Sequence, residues 1–492
     1  MLIELPLILL LCYLCLKMRS KPTRKIPPGP RGLPIVGYLP FLATSPTEKL
    51  TEISKTYGNL FTLKLGDELV LFINDLATMK EMGKMDVFQG RNQLEIIRPL
   101  RENRGLIFLE GQGWNEWRRF TLHTLKGMGF GGRTMETLIQ DELRDLVLYL
   151  QKKANQPLYT KDFTDIIAVN GLWEILAGEK FDLEDEEKHR VLKIIEEGVA
   201  DQSMMGLVTF LPKIAKLFPS LSGWNKAVKC FGSPFKLIRH TLDKHIENYG
   251  QHGKEKDFID FALTKIYSTT DPSSCFYKQQ GIENLFYTIL DLFVTGSDTV
   301  SSTISWAFLF VTIYPEVQRK IQKEIDETIG SQRLPSISDK RKMVYTEAVM
   351  MEVLRRSSIV QFGAMHKALE DVDSFHGYCI PKGTIILWNL RHVHHDPLHW
   401  DDPNSFKPER FINSDGSLRK DEHLIPFFTG KRSCPAESVA LNEFFLFFTG
   451  VLQKFDTELV DKSARVDLGP KPGFCTSPPK HNIILRERST LN

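Results

Sequence analysis

Pro426-Phe427-Phe428-Thr429-Gly430-Lys431-Arg432-Ser433-Cys434-Pro435-Ala436-Glu437 places a single cysteine between a glycine-bearing turn and an amphipathic stretch over 435–453. Pro435 suits the first turn of a helix, where its missing N–H costs nothing. Arg432 stands two residues from the sulfur, and a cation and a helix N-terminus both favour thiolate. The pattern fits an anionic sulfur, either a metal ligand or a nucleophile. A buried structural cysteine satisfies the same residues equally well.

The surrounding chain has 492 residues, with 63 Lys+Arg against 61 Asp+Glu and 42% hydrophobic residues. That is globular composition, neither disordered nor low in complexity. The net charge of +2 argues against a nucleic-acid-binding surface, which needs a strongly basic stripe. The seven cysteines are odd in number and lack paired zinc spacing, so reduced thiols are expected rather than a disulfide framework.

Residues 1–25 carry a net +4 and the rest of the chain −2. Leu2–Leu16 is almost wholly apolar and reaches roughly 22 Å as a helix, a little short of the ~30 Å hydrocarbon core. The basic run follows the apolar one, the reverse of a cleaved signal, and holds the following chain on the cytosolic side. Residues 1–17 are therefore expected to be a single-pass signal anchor. Residues 18–34 form a basic, proline-rich hinge containing Ile26-Pro27-Pro28-Gly29-Pro30, and 35–492 form the body. Length alone suits about three domains, yet no linker after residue 34 separates any.

Helical patterns run over 112–126, 137–152, 161–178, 186–200, 233–250, 257–266, 281–314, 316–329, 338–356 and 435–453. Strand patterns fall near 59–73, 375–387 and the C-terminal tail. This predicts a mainly α fold with small peripheral β-sheets. The helix over 281–314 would cross the whole body, and Thr295-Gly296-Ser297-Asp298-Thr299 interrupts its apolar run. We expect the helix to open there, because glycine costs about 1 kcal/mol in a helix and buried polar groups need partners.

Two motifs point elsewhere. Gly127-Met128-Gly129-Phe130-Gly131-Gly132 has GxGxxG form, but a basic helical stretch precedes it where a nucleotide fold needs a strand; it reads as a helix terminator. His392, His394, His395 and His399 have no metal-site spacing and read as a polar loop ending at Asp396-Pro397.

Phe427-x-x-Gly430-x-Arg432-x-Cys434 resembles the haem-binding signature of the cytochrome P450 family. Thr295–Thr299 resembles that family's oxygen-activating central-helix motif, Glu352-x-x-Arg355 its ExxR, and Pro408-Glu409-Arg410-Phe411 its PxRF element. Trp114-Asn115-Glu116-Trp117-Arg118-Arg119-Phe120 looks most like the animal microsomal family-2 enzymes. The resemblance covers essentially the whole chain.

It implies a cytochrome P450 fold with a long central helix across haem, and Cys434 as axial thiolate ligand of the iron. Trp114, Arg118, Arg91, His366 and Arg432 would hold the propionates, with Phe427 and Gly430 shaping the cysteine loop. Glu352, Arg355 and Arg410 would form a structural ion-pair triad. Asp298 and Thr299 would be catalytic, delivering protons during oxygen activation. Pocket walls would include Ile107, Phe108, Phe293, Val360 and Phe474. Thr295 and Pro435-Ala436 depart from commoner residues at their motif positions.

The implied activity is monooxygenation, the hydroxylation or epoxidation of a lipophilic substrate such as a steroid, terpenoid, fatty acid or xenobiotic. O2 and NADPH would be co-substrates, with electrons from a membrane-bound diflavin reductase, possible help from cytochrome b5, and Arg119, Lys126 and Lys431 as docking cations. The expected location is the endoplasmic reticulum membrane, facing the cytosol. A non-oxygenating isomerase or dehydratase and a non-catalytic haem- or lipid-binding protein are the alternatives. The acid–alcohol pair and the thiolate motif argue against them.

Overall fold

The computed structural model describes residues 25–42, 46–96, 98–201, 203, 206–251, 255–461, 466–469 and 473–488. The expected anchor at 1–17 and the first part of the hinge lie outside these. Among the described residues no single helix is long and apolar enough to cross a membrane.

Five helices position the site: α1 (Gly111–Gly127), α2 (Lys161–Ala177), α3 (Lys278–Ile313), α4 (Val344–Ser357) and α5 (Glu437–Lys454). The 36 residues of α3 span about 54 Å. Its apolar residues are continuous rather than periodic because neighbours cover it on nearly every side. α2 is buried in the same all-round way and runs alongside α3. Gly178, in the left-handed region at φ 67°, ends α2. Pro315 opens the helix that follows α3.

The strands are β1 (Leu60–Leu65), β2 (Glu68–Ile73), β3 (Gly90–Arg91), β4 (Pro157–Tyr159), β5 (His366–Lys367), β6 (Val372–Phe375), β7 (Tyr378–Ile380), β8 (Ile385–Trp388), β9 (Phe455–Leu459) and β10 (Asn482–Glu487). They form a five-stranded sheet in the order β1-β2-β8-β5-β3, a three-stranded sheet β4-β10-β9 and the pair β6-β7. β2 and β8 run parallel, with Leu71 opposite Ile386, and every other pairing is antiparallel. The main core lies around α2, α3 and α5, and a second lies under the five-stranded sheet.

Several expectations need correction. The helix expected at 338–356 is a 3-10 turn, Ile337–Lys342, followed by α4; a Ser336/Asp339 capping box starts the turn and Met343 breaks it. The helix expected to begin at 233 begins at Trp224 and runs through Pro234. His392, His394 and His395 sit on a short helix, Leu390–His395, rather than in a loop; Asn389 caps it.

Most consequentially, α3 does not open at its centre. Thr295, Thr299 and Thr303 each donate their hydroxyl to the carbonyl four residues back, at 2.7, 2.7 and 2.8 Å. The threonine hydroxyls are satisfied within an unbroken helix.

Candidate active site

The cysteine loop is folded by its own backbone. Cys434 N–H donates to Phe427 O at 2.9 Å and Ser433 N–H to Gly430 O at 3.2 Å. Phe428 takes φ 66°, and its ring meets Trp388 and His366 edge-on at 4.8 and 5.6 Å between centroids. Lys431 N–H donates to Gly83 O at 2.9 Å, fixing the loop to the end of helix Leu76–Met82.

α5 starts at Glu437, so Pro435 lies in the turn before it and Cys434 outside its first turn. Burial pushes the Cys434 thiol up, outweighing the Ala436 N–H and Arg118 that pull it down. A thiolate here needs a cation on the sulfur itself.

Beside the loop gather three guanidiniums. Trp114 and Arg118 are one turn apart on α1, and Arg118 lies over the Trp114 ring at 5.5 Å. Arg118 donates to Ser433 O at 2.8 Å, joining α1 to the cysteine loop. Arg432 lies over the same indole at 3.8 Å. It also donates to Leu109 O and Gln89 O, at 2.7 and 3.1 Å.

Arg91 comes from β3, where its register partner across the sheet is His366 of β5. His366 Nδ1 bonds Phe88 O at 2.8 Å; burial and Arg91 hold the ring well below the usual histidine range, hence neutral. Among the described residues none of the three arginines has a carboxylate within ion-pair distance. The nearby Glu110 accepts the Arg91 backbone N–H and pairs with Lys367. Nε of both Arg91 and Arg432 is buried without a partner. Burial and mutual repulsion press Arg432 down to about 8 and Arg91 to about 10.

The accessible face of α3 lies along Val294, Thr295, Gly296 and Thr299, in the middle of an otherwise buried helix. Asp298 is buried and turns away from that face, towards α2 and the C-terminal segment. Its Oδ1 accepts from Lys161 Nζ at 3.1 Å and lies 3.5 Å from Ser302 Oγ; Oδ2 makes no hydrogen bond. Ser302 meets Ser477 at 3.2 Å, and the Ser477 hydroxyl bonds Glu196. Burial raises the Glu196 carboxyl to about 7 despite Lys161.

Lys161, at the start of α2, is fully buried and also pairs with Asp165 at 2.9 Å. Burial alone would lower its pKa, but Asp165, Asp298 and Glu196 together raise it. Sequence reasoning missed this lysine, Glu196 and Ser477, because their partners are far away in the chain. The one local hint was a Lys–Asp pair at 161 and 165, which reads as an ordinary exposed helix pair.

Glu352 and Arg355 on α4 are completely buried. Arg355 Nε and Nη2 make a bidentate pair with Glu352, both at 2.8 Å, and Arg410 Nε approaches the same carboxylate at 3.1 Å. The arginines also bind the carbonyls of His394, Pro403, Asp401 and Asp402. Among the described residues these groups make no hydrogen bond to the cysteine loop; they tie α4 to the segment 394–410.

Of the expected pocket residues, Ile107, Phe108, Val360 and Phe474 are partly accessible. Phe293 is not: it packs into the core, edge-on to Trp173 at 5.2 Å. The 105–108 turn carrying Ile107 and Phe108 is held to α3 by Asp291, which accepts Ile107 N–H at 2.8 Å and pairs with buried Arg101 at 2.7 Å. Arg119 and Lys126 are exposed on α1, whereas Lys431 pairs with Asp86.

The chain matches the family described as Cytochrome P450 over residues 27–485. It is 35% identical to the farnesoate epoxidase of Bombyx mori over 475 residues, covering 94% of each chain. It is also 35% identical to cytochrome P450 2B2 of Rattus norvegicus over 494 residues, 99% of each, and 34% identical to cytochrome P450 2J5 of Mus musculus over 96% of this chain and 93% of that one.

Proposed function

Because this chain belongs to the cytochrome P450 family, and so to the haem-thiolate monooxygenases, we propose that it inserts one atom of O2 into a lipophilic substrate. The electrons would come from NADPH through a diflavin reductase. When bound, haem supplies an iron centre at which O2 is reduced with two electrons and two protons, the cysteine thiolate favouring O–O cleavage.

The observation that carries the reading is the group of three guanidiniums beside Cys434, Arg91 and Arg432 buried and Arg118 half-buried, with no carboxylate paired to them among the described residues. A porphyrin bearing two carboxylates fits it: it would supply the missing anions to Arg91, Arg118 and Arg432, while Trp114 and neutral His366 hold the cations in place. Cys434 would be the iron ligand, with the metal providing the cation that its buried sulfur lacks. Phe427 and Gly430 set the loop that presents it.

Protons would reach the pocket along α3. Glu196, part exposed and half-protonated near neutrality, would take a proton from solvent and pass it through the Ser477 and Ser302 hydroxyls to Asp298. Lys161 holds the Asp298 carboxylate in place through their 3.1 Å ion pair. Thr299, whose hydroxyl rests on Thr295 O, would turn to hand the proton into the accessible face.

Ile107, Phe108, Val360 and Phe474 support an apolar substrate. The epoxidase relative's name makes an unsaturated terpenoid acid one class to include in a test.

Membrane residence is supported by an exposed apolar patch. Leu217, Phe218 and Leu221 are 73%, 60% and 90% exposed. They follow the turn at Phe210, which touches Gly66 between β1 and β2. Leu33 and Ile35 lie beside the same hairpin, through the bridge of Gly37 to Leu65. A bilayer of the endoplasmic reticulum would cover this face, and exposed Arg119 and Lys126 would meet an acidic reductase.

The test is the reduced, CO-bound absorption spectrum of the haem-loaded protein. The unaltered chain should give a thiolate-type band that Cys434→Ala abolishes; retention of that band in the variant would overturn the assignment. Haem-band shifts across a panel of steroids, terpenoid acids, fatty acids and xenobiotics would then identify the substrate class.

A further inference from the structure

The surface segment that leads into the cysteine loop holds a cluster that the monooxygenase reading leaves unused. His399 belongs to the turn after helix Leu390–His395, and Asp421 and His423 to the turn before Leu424. His399 Nε2 lies 2.9 and 3.0 Å from the two oxygens of Asp421. His423 Nδ1 lies 3.5 Å from Asp421 Oδ1 and makes no hydrogen bond, although it is buried. The two imidazoles stack at 3.6 Å between centroids.

We propose that His399, Asp421 and His423 form a binding site for a divalent transition metal of the zinc type. Two imidazoles and one carboxylate are a common zinc donor set, leaving a fourth position for water. A tetrahedral ion with ligands at about 2.0–2.1 Å spaces neighbouring donor atoms by roughly 3.4 Å. The observed 2.9 and 3.5 Å bracket that value, so each imidazole nitrogen already stands at ligand spacing from the carboxylate, and binding requires the stacked rings to turn until both lone pairs point at the ion. The side chains of both histidines are 27% exposed and that of Asp421 5%, so an ion can enter from solvent onto a carboxylate already fixed.

Asp421 is oriented from behind. Oδ1 accepts the backbone N–H of His423 at 2.9 Å, and Oδ2 accepts from Arg419 at 3.0 Å. Among the described residues Arg419 is the one arginine or lysine paired with Asp421. It occupies Oδ2 and leaves Oδ1, the oxygen nearest both imidazoles, to the metal.

His392, His394 and His395 do not contribute: His394 accepts Ile425 N–H and bonds Ser358, and His395 meets Arg356. The second His/Asp group, His245 with Asp257 and Asp260, has spent its atoms. His245 bonds Thr241 O and Asp257, and Asp257 caps the helix beginning at Phe258.

Zinc chloride titrated into the haem-loaded full chain, against a chromophoric chelator, tests the site. One equivalent should bind with micromolar affinity, and His399→Gln and His423→Gln should each weaken it at least about tenfold. His245→Gln should change nothing. The haem absorption spectrum shows that each variant is folded. The zinc K-edge spectrum of the unaltered protein should show two imidazole ligands, which decides the matter should a variant fail to fold. Unchanged affinity in both folded variants, a K-edge spectrum without paired imidazoles, or no binding below millimolar zinc would overturn the proposal.

Discussion

Gly430 has φ 85°, and a Cβ there would stand 2.3 Å from the carbonyl oxygen of Gly83. Both facts exclude a side chain: the left-handed region disfavours L-residues, and the opposing atom is backbone that cannot step aside. Gly430→Ala should therefore displace the cysteine loop and cost about 2–3 kcal/mol. The expected result is a lower thermal midpoint and at least tenfold weaker haem retention in the purified protein. The glycine was conspicuous in the sequence as a turn residue. The surface it presses against was not, because Gly83 ends a helix nearly 350 residues earlier.

At the scale of elements, α2 and α3 are joined by polar as well as apolar contacts. Thr164 bonds Ser301 and Ser305 at 3.0 and 2.9 Å, Ser301 also bonds Asp165, and Lys161 pairs with Asp298. The proposed proton route continues this seam to Glu196. Since the Glu196 carboxyl lies at about 7, its protonated, donating form is full below that pH and is lost as pH rises through it. Turnover should fall across neutrality. Glu196→Gln should remove that inflection and slow product formation roughly tenfold, while the substrate-induced haem shift stays unchanged. Rates measured against pH, with NADPH consumption followed in parallel, would show it.

Much of this level was legible in the sequence. The long apolar run of α3, the spacing of Trp114 and Arg118, and the ExxR pair all depend on neighbours within one or two turns. The polar cluster at Thr295–Thr299 was misread as a break because threonine's ability to bond its own helix is invisible in a one-dimensional pattern. Lys161 was missed because a buried lysine and an exposed one look alike until their partners are placed.

For the molecule as a whole, Leu217, Phe218 and Leu221 are exposed outside the core, in the segment that follows Phe210, whose carbonyl packs on Gly66. Replacing the three with serine should reduce binding to phospholipid vesicles several-fold in a chain truncated before residue 25, and leave the CO-bound spectrum intact. Flotation assays with and without the patch would measure this. The mainly helical architecture and three modest sheets were foreseeable from hydrophobic periodicity. The five-stranded order β1-β2-β8-β5-β3 was not, because β3 and β5 have two residues each and exist only through partners elsewhere in the chain, Arg91 opposite His366 and His366 opposite Ile386. The Gly83–Gly430 contact has a further consequence for recombination. A chimera that imports residues 426–437 from another enzyme inherits one half of a two-part fit, so crossover points that separate position 83 from position 430 should yield apoprotein unless both parents carry glycine at both places.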